Sequence, residues 1–307
     1  MEKVQYDYII IGAGPAGLAS AQYAARAGLK TLVLDSVCEG GQLMQISDLE
    51  NYPGVFPAVN GTELIETMAK QARDFGAEIK IQAVTSIDKN GINFIVTTRK
   101  VVYTAPSLLI ATGATHTNLN VPGEKELTGR GVSYCAVCDG PFFKNKKILV
   151  VGGGDTACSE AIYLSKFSSD VKIIHRRDTF RAQKAVADKM FASGVVPVYN
   201  SIVKSINGTE KVESVTLQNT VTGEASELSA DAVFIFTGML PQTDLVEVLP
   251  KDEKGYIITD DNMETAVPGL FAAGDVRSKP FRQVVTAVSD GAVAAHRAYN
   301  YVSGLKV

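Results

Sequence analysis

The chain contains the same glycine-rich pattern twice, in its first and its second half. The two copies read Gly12-Ala13-Gly14-Pro15-Ala16-Gly17 and Gly152-Gly153-Gly154-Asp155-Thr156-Ala157. Each copy follows a short apolar run, and each leads into a helix-like segment and then a second apolar run. This order predicts a βαβ unit with the G-x-G-x-x-G/A fingerprint of dinucleotide binding, present twice.

The small residues of this fingerprint have separate physical tasks. The first glycine makes a tight turn, the second lets the backbone approach a pyrophosphate, and the third small residue lets the helix pack closely on the strand. The phosphates then lie at the helix N-terminus, where free N–H groups and the helix dipole favour an anion. Glycine-rich turns of an ordinary α/β domain are the alternative, which the strand-flanked repetition disfavours. We therefore expect an α/β protein with two Rossmann-like, three-layer nucleotide-binding domains.

The two copies differ where their second strands end. Asp35 ends the first, and a carboxylate at this position accepts hydrogen bonds from ribose hydroxyls. The second ends at His175, followed by Arg176, Arg177 and Arg181. Guanidinium groups bind a 2′-phosphate, whereas the alternative, a solvated basic surface, is disfavoured in a chain of net charge -3. We expect an adenosine with a free ribose in the first copy and NADP(H) in the second.

Further segments repeat more loosely and indicate the domain organisation. Residues 108–113 and 233–238 are both apolar runs that end in Thr-Gly. We expect one domain, formed by residues 1–115 and 246–307, to be interrupted by an inserted domain of residues 116–245. The chain would cross between them near residues 114–116 and 239–242.

A close pair of cysteines precedes the second glycine pattern. Cys135 and Cys138 are separated by two residues, and Asp139 follows as a group that could carry a proton. A zinc site would need two further ligands, but the other cysteines and the histidines are scattered. A structural disulfide is unusual in a cytoplasmic chain. We interpret the pair as redox-active, and we expect no metal.

Composition and charge narrow the setting. A net charge of -3 and a pI near 5.7 disfavour general nucleic-acid binding. No window approaches the roughly 18 apolar residues that span a bilayer. The apolar N-terminal run contains glycines and lacks a clear cleavage site, unlike a signal peptide. We expect a cytoplasmic protein without a nucleic-acid or membrane partner.

Together these motifs resemble the low-molecular-weight, bacterial-type thioredoxin reductases of the class-II pyridine nucleotide-disulfide oxidoreductases. The resemblance covers essentially the whole chain and implies FAD in the outer domain, NADPH in the inserted domain and a homodimer. Besides Gly12, Gly14, Pro15, Ala16 and Asp35, the flavin-site residues expected on this basis are Gly41, Gln42, Leu43, Asn51, Val84, Ala111, Thr112, Gly113, Gly274, Asp275, Arg282, Gln283 and Val284. For NADPH they are Gly152, Gly154, Asp155, Thr156, His175, Arg176, Arg177 and Arg181.

The resemblance also implies roles for the cysteine motif. Cys138 would exchange electrons with the flavin, Cys135 would attack the disulfide of thioredoxin, and Asp139 would be the acid/base. The nicotinamide site and the cysteines would share one domain, so we expect that domain to rotate between half-reactions. Ser159 departs from the family pattern, which more often has Glu there.

Other functions remain open at this point. A reductase for another dithiol partner would resemble this chain, although the flavoprotein of a peroxidase system carries an additional N-terminal thioredoxin-like module. An NADP reductase of similar fold that acts on ferredoxin or flavodoxin would lack the C-x-x-C pair. A thioredoxin reductase driven by ferredoxin would lack the cluster of His175, Arg176 and Arg177. From a different class, a nucleotide-binding redox sensor could use the cysteine pair to gate a partner without turnover.

Overall fold

Two five-stranded parallel sheets form the framework of the protein. The computed structural model describes residues 2–46 and 49–305. Within it the chain divides into two compact units. Met1–Thr115 and Leu240–Val307 form unit 1, and His116–Met239 form unit 2.

The strands and helices follow the predicted βαβ order. In chain order the strands are β1 (Glu2–Gln5), β2 (Tyr8–Ile11), β3 (Thr31–Asp35), β4 (Glu78–Ile81), β5 (Val84–Asn90), β6 (Asn93–Thr98), β7 (Val101–Ala105), β8 (Ser107–Ile110), β9 (Ala114–His116), β10 (Val132–Ser133), β11 (Ile148–Gly152), β12 (Val171–Ile174), β13 (Val196–Val198), β14 (Ser201–Asn207), β15 (Ser214–Asn219), β16 (Ala225–Ser229), β17 (Ala232–Phe236), β18 (Met239–Pro241) and β19 (Leu270–Ala272). The α-helices are α1 (Pro15–Arg26), α2 (Gly61–Asp74), α3 (Ala136–Asp139), α4 (Asp155–Ser165), α5 (Lys184–Ala192) and α6 (Val284–Gly304).

Unit 1 has three layers. Its parallel sheet has the order β19-β8-β2-β3-β4, and the antiparallel β5, β6 and β7, with β1 added in parallel, form a second sheet. On β2, Tyr8 and Ile10 point to the core beneath the helices, whereas Ile9 and Ile11 point to the core between the sheets. Because a strand alternates its side chains, a strand buried on both faces must be apolar throughout, as β2 is.

Unit 2 repeats this plan with a shorter second sheet. The parallel sheet has the order β10-β17-β11-β12-β13, and β14, β15 and β16 form an antiparallel sheet of three strands. On β11, Ile148 and Val150 face the core under α4, while Leu149 and Val151 face the antiparallel sheet. The predicted α/β class with two Rossmann-like, three-layer units is therefore confirmed.

The two crossing segments pair with each other as the two-stranded sheet of β9 and β18. Residues 240–245, which the sequence pattern grouped with the inserted domain, lie with unit 1. Gln242 accounts for this: its backbone N–H donates to the Gly113 carbonyl at 2.9 Å. Its side-chain Nε2 donates to the Thr112 carbonyl at 2.8 Å.

In the described part of the chain, no helix combines the length and apolar character that a membrane span requires.

Candidate active site

Cys135 and Cys138 form a disulfide, with their Cα atoms 5.4 Å apart. Cys135 is the N-cap of α3, and the backbone N–H of Cys138 donates to its Sγ at 3.2 Å. The Ser133 hydroxyl accepts the Cys135 N–H at 3.1 Å and donates to the Cys135 carbonyl at 3.3 Å, which fixes the backbone there. Cys135 is half-buried and Cys138 is exposed. Among the described residues, no cluster of His, Cys, Asp or Glu could hold a metal ion.

The short helix α3 packs on α4, the helix that follows the second glycine loop. Ala136 is buried in the core that also contains Ala157 and Ala161 of α4. A Cβ added at Gly140 would lie 2.9 Å from Cδ2 of Leu164, so the chain after Asp139 passes close against α4. The disulfide is thereby held beside the helix that begins at the second fingerprint.

Tyr134, the residue before the disulfide, contacts His116 and Glu124, and the sequence patterns assigned none of these three side chains to the site. The Tyr134 ring stacks on the His116 ring with centroids 3.8 Å apart, and the Tyr134 hydroxyl donates to Glu124 Oε1 at 2.7 Å. Glu124 is 4% exposed, and its carboxylate accepts the backbone N–H groups of Leu119 and Asn120 at 2.7 and 2.6 Å. Burial, together with the Glu124 carboxylate, raises the pKa of Tyr134, while burial lowers the pKa of His116.

The glycine loops divide their residues between packing and open space. A Cβ at Gly12 would lie 2.2 Å from the Ala111 carbonyl oxygen, and one at Gly152 would lie 2.5 Å from the Phe236 carbonyl oxygen. By contrast, a Cβ at Gly14 or Gly154 would meet no atom within 4 Å. The first glycine of each loop is thus required by close strand contact, and the middle one borders an open cradle. That is the arrangement the pyrophosphate of a dinucleotide needs.

Asp35 lies against the first loop. Its Oδ2 accepts the Ala13 N–H at 2.8 Å, and its Oδ1 accepts the Val37 N–H at 3.0 Å. The carboxylate is therefore oriented by the backbone, and its remaining lone pairs can accept ribose hydroxyls. This is the place that the sequence pattern predicts for such a group.

His175 has a different setting from the three arginines. It is 5% exposed, its Nδ1 lies 3.1 Å from the Gly152 carbonyl oxygen, and burial lowers its pKa. A Cβ at Gly153 would lie 2.1 Å from that ring, so His175 packs beneath the loop. Arg181 is exposed, and its backbone N–H donates to the Gly153 carbonyl at 2.7 Å. Arg176 and Arg177 are exposed as well. The geometry gives His175 a supporting position, and its predicted contact with NADPH stays a prediction.

The start of α4 is tied to the segment after Arg181. Asp155 accepts the Gln183 N–H at 2.6 Å and the Gln183 side-chain amide at 3.0 Å. Thr156 is exposed in the first turn of the helix. The arginine-bearing loop is consequently anchored at both Gly153 and Asp155.

Several segments of unit 1 converge on the first loop. A Cβ at Gly41 would lie 3.6 Å from the Gly14 Cα, and one at Gly274 would lie 2.9 Å from the Ala16 Cβ. Gly274 has φ +78, a conformation that glycine adopts without strain, and it opens the turn that carries Asp275. The structure thus brings residues 41, 274 and 275 to the loop that contains Gly14, Pro15 and Ala16.

The remaining predicted flavin-site residues occupy neighbouring or supporting positions. Asn51 Nδ2 donates to Gln283 Oε1 at 3.0 Å, and Gln283 caps α6, which begins at Val284. The Gln42 amide donates to the Ala114 carbonyl at 2.8 Å, just after Gly113. Arg282 lies over the Tyr256 ring, with 3.7 Å between its Cζ and the ring centroid. Leu43 is buried in the helix-side core, and Val84 packs against the core between the two sheets.

Known proteins match this chain over nearly its whole length. A model of the family described as pyridine nucleotide-disulphide oxidoreductase matches residues 6–291. A thioredoxin reductase of Treponema pallidum is 52% identical over 99% of both chains, and one of Bacillus subtilis is 48% identical over 99% of this chain and 97% of that protein. The crystal structure of Lactococcus lactis thioredoxin reductase (FR conformation) has a TM-score of 0.95 at 45% identity, covering 97% of this chain and 99% of that one.

The chain belongs to the thioredoxin reductase family.

Membership of the thioredoxin reductases confirms the resemblance inferred from the motifs. A solved thioredoxin reductase of T. acidophilum, at 37% identity, still has a TM-score of 0.92 over 96% of this chain and 98% of that one. The fold described above is therefore retained in thioredoxin reductases of well under half identity. The Cys135–Cys138 disulfide agrees with the redox-active C-x-x-C predicted from the sequence.

One buried acid of this thioredoxin reductase escaped the sequence patterns. Glu160 lies on α4, and its Oε2 is buried with no hydrogen-bond partner among the described residues. Burial raises the pKa of its carboxyl from 4.5 to about 7. The only sequence signal is its spacing, because Glu160 follows buried Ala157 by three residues and precedes buried Leu164 by four.

Proposed function

We propose that the protein is an NADPH-dependent, FAD-containing thioredoxin-disulfide reductase. The observation that carries the proposal is the Cys135–Cys138 disulfide, held on α3 against the helix of a dinucleotide-type loop. In the net reaction, NADPH and a proton are consumed, NADP⁺ is released, and the disulfide of thioredoxin becomes a dithiol. FAD, when bound, supplies the means of accepting a hydride and delivering two electrons to a disulfide.

FAD fits unit 1. The open space at Gly14 accommodates a pyrophosphate at the start of α1, and the oriented Asp35 carboxylate suits ribose hydroxyls. The residues that would hold FAD are Gly12, Gly14, Pro15, Ala16, Asp35, Gly41, Gln42, Leu43, Asn51, Val84, Ala111, Thr112, Gly113, Gly274, Asp275, Arg282, Gln283 and Val284.

NADPH fits unit 2. Gly154 offers the second open cradle, and Arg176, Arg177 and Arg181 offer guanidinium groups for a 2′-phosphate. Gly152, Asp155, Thr156 and His175 would shape the site around them.

The cysteine motif performs the thiol chemistry. After two-electron reduction, the Cys138 N–H that donates to Cys135 Sγ stabilises a thiolate there. That thiolate attacks one sulfur of the thioredoxin disulfide, and a mixed disulfide forms as the thioredoxin S–S bond breaks. Cys138 then attacks Cys135 Sγ, which closes the enzyme disulfide and releases reduced thioredoxin. Asp139, next in the chain, supplies and removes the protons.

The proposal includes a rotation of unit 2 between half-reactions. The NADPH loop and the cysteine pair belong to one unit, and both must serve a flavin bound to the other. Two short strands, β9 and β18, carry the chain between the units and are the hinge in this proposal. A crosslink that locks the units should allow one half-reaction and stop turnover. A homodimer in the cytoplasm completes the proposal.

Replacing Cys138 separates the two half-reactions. For Cys138→Ser we expect thioredoxin reduction by NADPH to fall by at least about 1000-fold, because the mixed disulfide cannot be resolved and no enzyme disulfide forms. Anaerobic bleaching of the flavin absorbance by NADPH should persist. Stopped-flow spectroscopy measures bleaching, and reoxidation by added oxidised thioredoxin measures turnover.

Cys38→Ser is the matched control, since Cys38 is an exposed thiol outside the disulfide. It should bleach and turn over like the unaltered protein. If the unaltered protein is reduced by NADPH but not reoxidised by thioredoxin, the substrate assignment is wrong, and a redox sensor or another acceptor becomes the better reading.

A further inference from the structure

A buried group of four charged side chains lies where the Gly274–Asp275 turn meets α6. Arg277, Lys279 and Asp290 have side chains that are 11%, 5% and 10% exposed. Asp275 is the most accessible member, at 30%. The group holds two cations and two carboxylates, so its formal charge is zero. Burying such charges is unfavourable unless each one is paired. The four side chains are therefore expected to be arranged so that every charge contacts an opposite charge.

Asp290 is fully satisfied within the group. Its Oδ1 accepts from Nη1 of Arg277 at 3.2 Å. Its Oδ2 accepts from the Gly274 backbone N–H at 3.0 Å and from Lys279 Nζ at 3.1 Å. Because Arg277 alone already neutralises Asp290, the charge of Lys279 is available to a second carboxylate.

Asp275 is that second carboxylate. Lys279 Nζ forms an ion pair with Asp275 Oδ1 at 3.4 Å and donates to the Thr286 hydroxyl oxygen at 3.3 Å, in addition to its contact with Asp290. Asp275 Oδ1 is itself buried and has no hydrogen bond of good geometry to any described residue. The accessible oxygen of Asp275 is consequently Oδ2.

The group stands directly behind the first glycine loop. A Cβ at Gly291, the residue after Asp290, would lie 2.1 Å from the Ala16 carbonyl oxygen. A Cβ at Gly274 would lie 2.9 Å from the Ala16 Cβ, as described above. The first turn of α1, the turn before Asp275 and helix α6 are therefore in mutual contact, and Lys279 links the last two through its ion pairs.

We propose that Lys279 is a positioning residue for the dinucleotide site of unit 1. Its ammonium holds Oδ1 of Asp275 and so leaves Oδ2 as the acceptor for a hydroxyl group of FAD. This inference rests on the proposed binding of FAD to unit 1 and assigns a task to a side chain that does not itself touch the ligand.

A double-mutant cycle on FAD affinity tests the proposal. Apoprotein of the full chain is titrated with FAD, and quenching of flavin fluorescence gives Kd. We expect Lys279→Met and Asp275→Asn each to weaken binding about tenfold or more, in line with the loss of a hydrogen bond to a charged group. Because Lys279 acts through Asp275, the double variant should bind no more weakly than Asp275→Asn alone.

Several outcomes would overturn the proposal. If the losses of FAD affinity in the two single variants add up in the double variant, Lys279 does not act through Asp275. If Lys279→Met binds FAD as tightly as the unaltered protein, Lys279 has no positioning role. If adding Asp290→Asn to Lys279→Met restores FAD affinity, Lys279 serves only to neutralise the charge of Asp290 and does not position Asp275. Lys70→Met, at an exposed site on α2, is the control. If Lys279→Met does not fold, Lys279→Gln enters the same cycle. Failure of the unaltered apoprotein to bind FAD would instead refute the proposed function itself.

Discussion

Units 1 and 2 share the order of four strands in their parallel sheets, β8-β2-β3-β4 and β17-β11-β12-β13, but differ in what covers the helix of the glycine loop. In unit 1 the long helix α6 crosses α1 so closely that a Cβ at Gly291 would lie 2.1 Å from the Ala16 carbonyl oxygen. In unit 2 the four-residue helix α3 packs on α4 and carries the disulfide. Two similar sheets therefore support a closely covered helix in unit 1 and a partly exposed disulfide in unit 2.

The middle glycines offer the sharpest way to separate the two units. Gly14 (φ -77, ψ -176) and Gly154 (φ -100, ψ -178) have backbones that alanine also adopts, and a Cβ at either meets no atom within 4 Å. Alanine should thus leave folding intact and intrude only on the bound pyrophosphate. We expect Gly14→Ala to weaken FAD binding about 1000-fold and Gly154→Ala to weaken NADPH binding about as much, roughly 4 kcal/mol each.

Fluorescence titration with each nucleotide, and thermal unfolding of the apoproteins, measure the two effects. Gly304→Ala is the control, because it makes the same substitution in open space at the end of α6. Each variant should spare the nucleotide of the other unit. Full FAD affinity in Gly14→Ala, or a loss of both nucleotides from one substitution, would refute the separate-cradle interpretation.

The sequence predicted the elements whose pattern is local and repeated. Strands β2 and β11 were recognisable because burial on both faces demands apolar residues at every position, and the glycine loops because turn and close contact demand glycine. The pair Cys135 and Cys138 was recognisable from its spacing. The partners of Lys279 were not, since Asp275 and Asp290 come together only when α6 packs on the sheet. Likewise, Glu124 contacts Tyr134 only because the irregular chain between them brings the two side chains together, and such a loop leaves no periodic pattern in the sequence.

The two units also differ in the residues at the ends of β3 and β12, the strands that follow the glycine-loop helices. Asp35 is bound by backbone N–H groups in unit 1, whereas Arg176, Arg177 and Arg181 are exposed in unit 2. Replacing all three arginines by alanine should raise KM for NADPH about 100-fold, because charge-assisted hydrogen bonds to the 2′-phosphate are lost. KM for NADH, which lacks that phosphate, should hardly change.

Steady-state kinetics with NADPH and with NADH measures the two KM values and hence their ratio. The contact between the Arg181 N–H and the Gly153 carbonyl is made by backbone and survives the substitution. Arg130→Ala serves as the control, since Arg130 is an exposed arginine of the same unit. Equal losses for NADPH and NADH would mean that the cluster shapes the loop and does not read the phosphate.

The helices α1 and α4 also differ in a buried polar side chain, and this difference leads to the prediction with the smallest expected effect. On α1, Ser20 is buried and its hydroxyl lies 3.0 Å from the Tyr8 hydroxyl, which satisfies both groups. At the matching place on α4 stands Glu160, and the strand position that matches Tyr8 is Ile148, which offers no such partner. Burial accordingly raises the pKa of Glu160 to about 7.

A carboxyl whose folded pKa exceeds its unfolded value binds a proton more tightly in the folded state, so its contribution to stability falls as pH rises from about 4.5 towards 7. Between pH 5 and pH 7 the loss amounts to about 2 kcal/mol. Glu160→Gln keeps the shape of the side chain and cannot ionise. Its free energy of unfolding, relative to that of the unaltered protein, should therefore rise by that amount between pH 5 and pH 7.

Urea denaturation at the two pH values measures the difference, with Glu66→Gln on the exposed face of α2 as the control. Parallel pH dependence in the Glu160→Gln variant and the unaltered protein would show that Glu160 is ionised in the fold, and a partner for its carboxylate would then have to be found in unit 2 as Tyr8 was found for Ser20.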